Sequence, residues 1–478
     1  VSGLSRSLVW RIALFGLFAV TTPIFSPNAS IFRGAVATGF MPYYIFSMFI
    51  SLALSSLVLV VSSRRVSRKP PRGVLLCASV LYAASIVAFA ALSLGWAVPS
   101  VAVAVAGVVC GASTVVITVR WAAFLSALDF REGLVCSSLL CIATSVVGIG
   151  FQALPLYPRA VVYVLIAIAG GICPVLMDPP RRDASAESAS SEGDLTSTRN
   201  LFHVLRLPVI GLVIYAFMMS INKVLLWGAV DAEFIGAIVA ALLIVPILLI
   251  RTDKPASAFI YRVIAPIIGG VVIVFVSFPA GTFPHGAALW LVYIFLSALA
   301  IVALGQIIAV IHAGEFRCEF VVGLALFLGG TVSFCGLLWV NVFGGLDSYE
   351  PVIYVIIAVY CALMVISLGW ESWRTITAVA DVDGEGELVA SRAEHADGSQ
   401  LSSHRASTVT IPAAISQKLT RRENEILSYL GRGHSNAYIA EKLFISESTV
   451  RTHVKHIYQK LEVHSREELF VLLDHGCA

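Results

Sequence analysis

The stretch from Leu419 to Leu469, LTRRENEILSYLGRGHSNAYIAEKLFISESTVRTHVKHIYQKLEVHSREEL, is built unlike the rest of the chain. It carries four helix-start signals. Thr420 stands three residues ahead of Glu423, and Ser465 three ahead of Glu468, the spacing of a capping box. Ser435 and Ser446 each end a loop and precede a helical pattern, as N-caps do. Apolar residues then recur at helical spacing: Ile426, Leu427 and Leu430 in the first helix, Ile439, Ala440 and Leu443 in the second, and Val450, Val454, Ile457 and Leu461 in the third.

Only Phe444 and Ile445 separate the second helix from the third, the short connection of a helix-turn-helix. The third helix divides into an apolar stripe and a polar face of Arg451, Thr452, Lys455, His456 and Gln459. Long donors on one face of a helix suit the major groove, where base edges are read. Ser448 and Thr449 stand near the free N–H groups of the helix start, where phosphate oxygens are favoured. The bland alternative for this pattern is a small helical bundle with a solvated polar face.

The segment resembles the DNA-binding domain of LuxR-type bacterial regulators. The matching pieces are LTRRE, the Gly433 turn, Ser435-Asn436, IAEKL, IS-x-STV, the His453 position, Lys460-Leu461 and SREEL. The resemblance implies that Arg451, Thr452 and Lys455 read bases, with His456 and Gln459 on the same face. It implies phosphate contacts for Thr449, Ser448 and Lys460, adds Asn436 to the DNA-binding set, and makes His453 a packing residue. One departure is Arg421, where many relatives carry Pro in the first turn; Arg is harmless there.

Outside this segment the composition changes. The chain of 478 residues is 58% hydrophobic and 13% charged, with mean hydropathy +0.89. A soluble domain has about a quarter charged residues, so most of this chain belongs in lipid. Twelve apolar segments of about twenty residues match the hydrocarbon thickness, near 8–26, 42–61, 74–94, 98–119, 134–153, 159–177, 207–227, 233–250, 260–278, 287–311, 320–343 and 351–370. The expected fold is all-α: a polytopic transmembrane bundle of about twelve spans, six and six, followed by a small four-helix helix-turn-helix domain. The expected boundaries are 1–370 for the membrane domain with a central loop at 178–206, 371–415 for a flexible linker, and 416–478 for the DNA-binding domain.

Basic residues orient the bundle. The second connection holds Arg64, Arg65, Arg68, Lys69 and Arg72 without an acid, and later even-numbered connections are basic too. The expectation is a multi-pass protein of the inner, cytoplasmic membrane with both termini in the cytoplasm, so that the DNA-reading tail meets DNA. Twelve spans, a long central loop and a basic second connection resemble the major facilitator transporter architecture. The family's loop signature carries Gly and Asp before its basic run; this chain has Ser62-Ser63-Arg64-Arg65, which puts a transport gate in doubt.

No carboxylate falls near mid-depth of a span, although proton-coupled transporters usually need one. Milder polar residues remain. Tyr215, Asn222 and Lys223 in the seventh span, Thr114 in the fourth and Gln306 in the tenth are the candidate ligand site, suited to a small, mostly apolar or aromatic molecule. The alternative for each hydroxyl is a bond back to its own helix. Asn222 and Lys223 are placed to meet an anion at the outer mouth, and Lys223 can also snorkel.

The nine cysteines show no CxxC pair or Cys/His ligand spacing and read as small buried hydrophobes. No metal, cofactor or catalytic residue is expected, since no phosphate loop, nucleophile elbow or useful carboxylate pair appears. From Glu371 to Ile415 the chain holds seven acids and three bases, an acidic tether that disfavours non-specific DNA contact. The reading that unites these features is a one-component transcription regulator: the membrane domain senses a small molecule, and paired tails bind an operator as a homodimer. A secondary transporter with a fused regulatory tail is the alternative, and a bare membrane anchor a third possibility.

Overall fold

The computed structural model describes residues 6–22, 41–65, 71–96, 98–177, 201–202, 204–225, 230–249, 260–279, 281–343, 352–366, 413–463 and 465–475. Among them every regular element is a helix. The chain divides into two compact units, Val1–Ala358 and Val359–Ala478.

Each of the twelve apolar segments contains an apolar helix. These are α1 (Arg6–Thr21), α2 (Met41–Arg65), α3 (Arg72–Ser93), α4 (Ser100–Leu125), α5 (Phe130–Ala153), α6 (Leu156–Leu176), α7 (Arg206–Leu225) and α8 (Val230–Leu249). They continue with α9 (Ala265–Val276), α10 (Phe283–Ala313), α11 (Cys318–Phe343) and α12 (Val352–Ile366). Seven are long and apolar enough to cross a membrane, and the other five are shorter apolar helices. A single π-helical turn, Ile260–Ile264, leads into α9 just before Pro266. Proline cannot donate to the preceding turn, and a widened turn is one way to accommodate it.

The packing repeats after six helices. The pair α2 and α4 corresponds to α8 and α10, and α3 with α4 to α9 with α10. Between the halves, α2 meets α11 as α8 meets α5, and α4 meets α11 as α10 meets α5. Helix α10 is the most enclosed, with 72% of its most apolar stretch buried, against 33–50% for the other long spans. Those outer helices turn Val58, Val101 and Leu165 outward, which lipid tolerates as readily as a protein core. Two cysteines depart from expectation, since Cys77 and Cys335 are exposed on the bundle surface while Cys110 and Cys136 are buried.

Lipid supplies no hydrophobic drive between helices, so close backbone approach has to replace it. Gly107 and Gly111, four residues apart on α4, provide it against α2. A Cβ on Gly111 would collide with the Met48 carbonyl and the Leu52 amide nitrogen, and one on Gly107 with Tyr44 and Ser47. The approach lets Ser51 Oγ donate to the Val108 carbonyl at 2.6 Å. Most other buried hydroxyls bond back to their own helix. Ser85 donates to the Tyr82 carbonyl, Ser93 to that of Phe89 and Ser220 to that of Ala216, at 2.7–2.9 Å.

At the end of the bundle where α2 ends and α3 begins, arginines close helix termini. Arg120 is buried and donates to the carbonyls of Pro174 and Met177, which end α6. Arg317 donates to the Ser63 carbonyl near the end of α2. These carbonyls have no intrahelical partner, so a guanidinium serves them well.

The second unit holds α13 (Ala413–Lys418), α14 (Arg421–Gly431), α15 (Asn436–Leu443), α16 (Glu447–Leu461) and α17 (Arg466–His475). Helix α13 begins inside the stretch expected to be linker; the rest of 371–415 lies outside the described residues. Helices of eight to fifteen residues are marginal alone in water, so their caps matter. Ile426, Leu427, Ile439, Val450, Ile457 and Leu469 form the shared core.

Candidate nucleic-acid interface

The capping residues anticipated from sequence are in place. Thr420 Oγ1 accepts from the Glu423 amide, and the Glu423 carboxylate accepts from the Thr420 amide at 2.8 Å, a complete capping box. Ser435 caps α15 through the Tyr438 amide, and Ser446 caps α16 through that of Thr449. The Ser465 hydroxyl accepts from the Glu468 amide at 3.1 Å. Each such cap is worth about 1 kcal/mol. Phe444, in the left-handed conformation at φ 54°, ends α15 and turns the chain into α16.

A further contact ties α16 to α14, and sequence reasoning missed it. Lys460 Nζ donates to both oxygens of Glu423, at 2.8 and 2.7 Å, joining the end of α16 to the start of α14. Glu423 is buried. Burial pushes its carboxyl upward, but hydrogen bonds from Lys460 and Thr420 prevail and hold it below the usual carboxylate range. Arg422 donates to the Leu443 carbonyl at 3.0 Å, closing the C-terminus of α15. Arg466 serves the end of α14 and the turn after it, through the carbonyls of Leu430 at 3.5 Å and His434 at 2.9 Å. The ring of His434 stacks on Tyr438 with centroids 4.1 Å apart, filling the turn between α14 and α15.

With those cations used internally, the face of α16 stands out. Arg451, Thr452, Lys455 and Gln459 are exposed, and His456 is partly so. Arg451, Lys455 and Gln459 are spaced four apart and share one stripe. Arg451 Nη2 also donates to Glu447 Oε1 at 2.6 Å. Thr449 lies half-buried, its hydroxyl 2.8 Å from that of Ser446. Asn436 is the first residue of α15. The side chain of Ser448 lies outside the described residues. Lys460, expected at phosphate, has its ammonium on Glu423. His453 is half-buried; burial first, then the charges of Arg422, His456 and Lys460, lower its pKa from the ordinary value, with Glu423 opposing.

The membrane candidates are distributed differently. Thr114 and Gln306 are buried, and Thr118 Oγ1 and Gln306 Oε1 have no hydrogen-bond partner among the described residues. The Thr114 hydroxyl lies beside the Cys110 thiol, one turn earlier on α4. Tyr215 is half-buried on α7. Helix α10, carrying Gln306, packs against both α4 and α7. Asn222 and Lys223 fall in α7, with side chains outside the described residues. No group of three or more His, Cys, Asp or Glu that could hold a metal occurs among the described residues.

Comparison with known proteins assigns the parts. Residues 417–473 match the family described as bacterial regulatory proteins, luxR family. The chain is 51% identical over 51 residues to an uncharacterized transcriptional regulatory protein, YhcZ, of Bacillus subtilis (strain 168), and equally to the oxygen regulatory protein NreC of Staphylococcus carnosus (strain TM300). Those matches cover 11% of this chain and 24% of each relative, so the chain spans about a quarter of the length of the curated relatives it matches. In fold, the chain is similar to a bacterial homologue of the iron transporter ferroportin in an outward-facing state, with a TM-score of 0.54 and 13% identity, covering 77% of this chain and 100% of the other. It is similar also to the major facilitator proton:xylose symporter XylE, with a TM-score of 0.51 and 13% identity, covering 76% and 95%. At such identity the likeness concerns fold alone. The chain thus joins a multi-pass membrane bundle of major-facilitator-like fold to a LuxR-type helix-turn-helix domain.

Proposed function

We propose that this protein is a membrane-embedded, one-component transcription regulator. A small molecule reaching the bundle shifts its conformation or self-association, and this changes how tails pair on an operator. The observation that carries the reading is the presence, on one chain, of a LuxR-type domain and a bundle with unpartnered buried polar atoms at Thr118 and Gln306. A buried polar atom without a partner costs about 1–3 kcal/mol, and a ligand or water that reached it would recover that cost. Thr114, Gln306, Tyr215, Asn222 and Lys223 are the ligand-site candidates.

On DNA, Arg451, Thr452 and Lys455 read bases, with His456 and Gln459 beside them and Thr449, Ser448 and Asn436 toward the backbone, while Lys460, held by Glu423, orients α16. The domain boundaries are 1–370, 371–415 and 416–478. The bundle lies in the cytoplasmic membrane with both termini inside, the DNA-bound form is a homodimer, and the ligand is a small, largely apolar molecule. Linked readers gain through effective concentration, so a modest change in pairing alters occupancy strongly.

The test is transcription from the chain's operator, compared between the full chain and a chain truncated to the tail, across candidate ligands. Ligand-dependent output from the full chain alone is expected. Identical output from both under every condition would remove the sensory role. The fold shared with XylE favours a second reading, a secondary transporter carrying a regulatory tail. That reading requires solute flux that survives deletion of the residues after Ile415.

A further inference from the structure

The contact between Glu447 and Arg451 has no obvious place in a domain built to hold a polyanion. Glu447 is the first residue of α16, at the end that would approach phosphates, and its side chain is 39% exposed. A carboxylate there repels DNA of every sequence, so it lowers affinity. Helix-dipole stabilisation alone would account for an acid in the first turn. It does not account for the 2.6 Å bond to Arg451, whose own side chain is 67% exposed. Arg451 belongs to the exposed stripe that includes Lys455. Left alone, so exposed a guanidinium would sample many rotamers and meet any nearby phosphate.

Resting on the DNA-reading assignment of α16, we infer that Glu447 is a positioning residue that fixes the Arg451 guanidinium for base recognition. One Nη2 hydrogen is committed to Glu447 Oε1. The other Nη2 hydrogen and those of Nη1 supply the two-pronged donor that matches guanine O6 and N7. Glu447 thus trades general affinity for selectivity. It holds Arg451 off the phosphates and aims it at a base edge.

The experiment uses the full chain in lipid nanodiscs, selecting from a pool of randomised duplexes and then measuring binding to the winner and its single-base variants. Glu447→Ala and Glu447→Gln should tighten binding to unrelated duplexes by about two- to fivefold, since one repulsive charge is removed. They should also reduce discrimination at one base pair by about threefold, a loss consistent with the modest strength of an exposed helix pair. That pair should be the one whose discrimination Arg451→Ala abolishes, and the double variant should discriminate no worse than Arg451→Ala alone. Glu447→Asp keeps the charge at the helix start but is one methylene shorter, and should still lose discrimination.

Full selectivity in the Asp variant would reduce Glu447 to a helix-end charge and overturn the inference. So would an unchanged base profile in the Ala variant, or a change at a different base pair. A wild-type chain that enriches no sequence would overturn the DNA-reading assignment and this inference together, an outcome distinct from the others.

Discussion

Hydroxyls play opposite parts in the two units. In the membrane bundle Ser85, Ser93 and Ser220 donate to carbonyls of their own helices. In the DNA-binding unit Thr420, Ser435, Ser446 and Ser465 accept from amides at helix starts. The bundle's α3, α4 and α6 instead begin behind Pro71, Pro99 and Pro155, without a side-chain cap. The difference follows from the surroundings. A helix of twenty or more residues in lipid cannot unwind, because freed backbone groups would find no water. Its ends call for fewer side-chain caps, although α5 starts on the Asp129–Glu132 capping box, and a hydroxyl only has to hide its own proton. Helices of eight to fifteen residues in water lose little by fraying, so their starts must be held.

Four substitutions or conditions would break or sharpen this contrast. The largest effect is expected from Gly111→Leu, which drives a side chain into the backbone of α2. Overpacking of this kind costs about 3 kcal/mol or more, and size-exclusion chromatography in detergent should show mostly aggregated protein. Monodisperse protein with an unchanged melting temperature would mean that α2 and α4 are not pressed together by small residues. Next comes Glu423→Ala, which removes half a capping box and strands Lys460. Roughly 2 kcal/mol should be lost from the DNA-binding unit, after discounting the exposed lysine. Hydrogen exchange should quicken in α14 and α16 and stay unchanged in the bundle.

The direct comparison is Ser446→Ala against Ser93→Ala. The first should cost about 1 kcal/mol and the second under about 0.5 kcal/mol, measured by exchange rates in the full chain. Equal losses would refute the division of labour. The smallest effect concerns pH. The pKa of His453 is lowered by burial, so the unfolded chain takes up a proton that the folded one resists. Stability is complete above the unfolded value of about 6.5 and declines as pH falls through it toward the lower folded value. Exchange in α16 should rise from pH 7 to pH 5, and His453→Gln should flatten that rise. Glu423, also lowered, adds a loss that begins as pH falls through the ordinary carboxylate range and continues toward its lower folded value.

Hydropathy and length made the twelve helices legible, because lipid thickness leaves little freedom. The caps were legible too, since Thr420 and Glu423 interact across three residues. Contacts across long separations were not. Lys460 reads as a free cation on an exposed turn, and nothing nearby announces an acid thirty-seven positions away; the faint signal was Glu423, whose cap position turns it toward the core. The arginines that close helix ends, Arg422, Arg466 and Arg120, likewise read as solvated charges. Thr114 looked like any helical hydroxyl, and only its packing separates it from Ser93. The register between α2 and α4 rests on Gly107 and Gly111, which a hydropathy profile does not distinguish from other small residues.

The six-helix repeat carries a mechanical corollary. The seam of α2 on α11 corresponds to the seam of α8 on α5, so a molecule wedged between the halves would press on both flanks. A lesion in one flank should leave the bundle lopsided, and its best suppressors should map to the matching positions on the opposite flank.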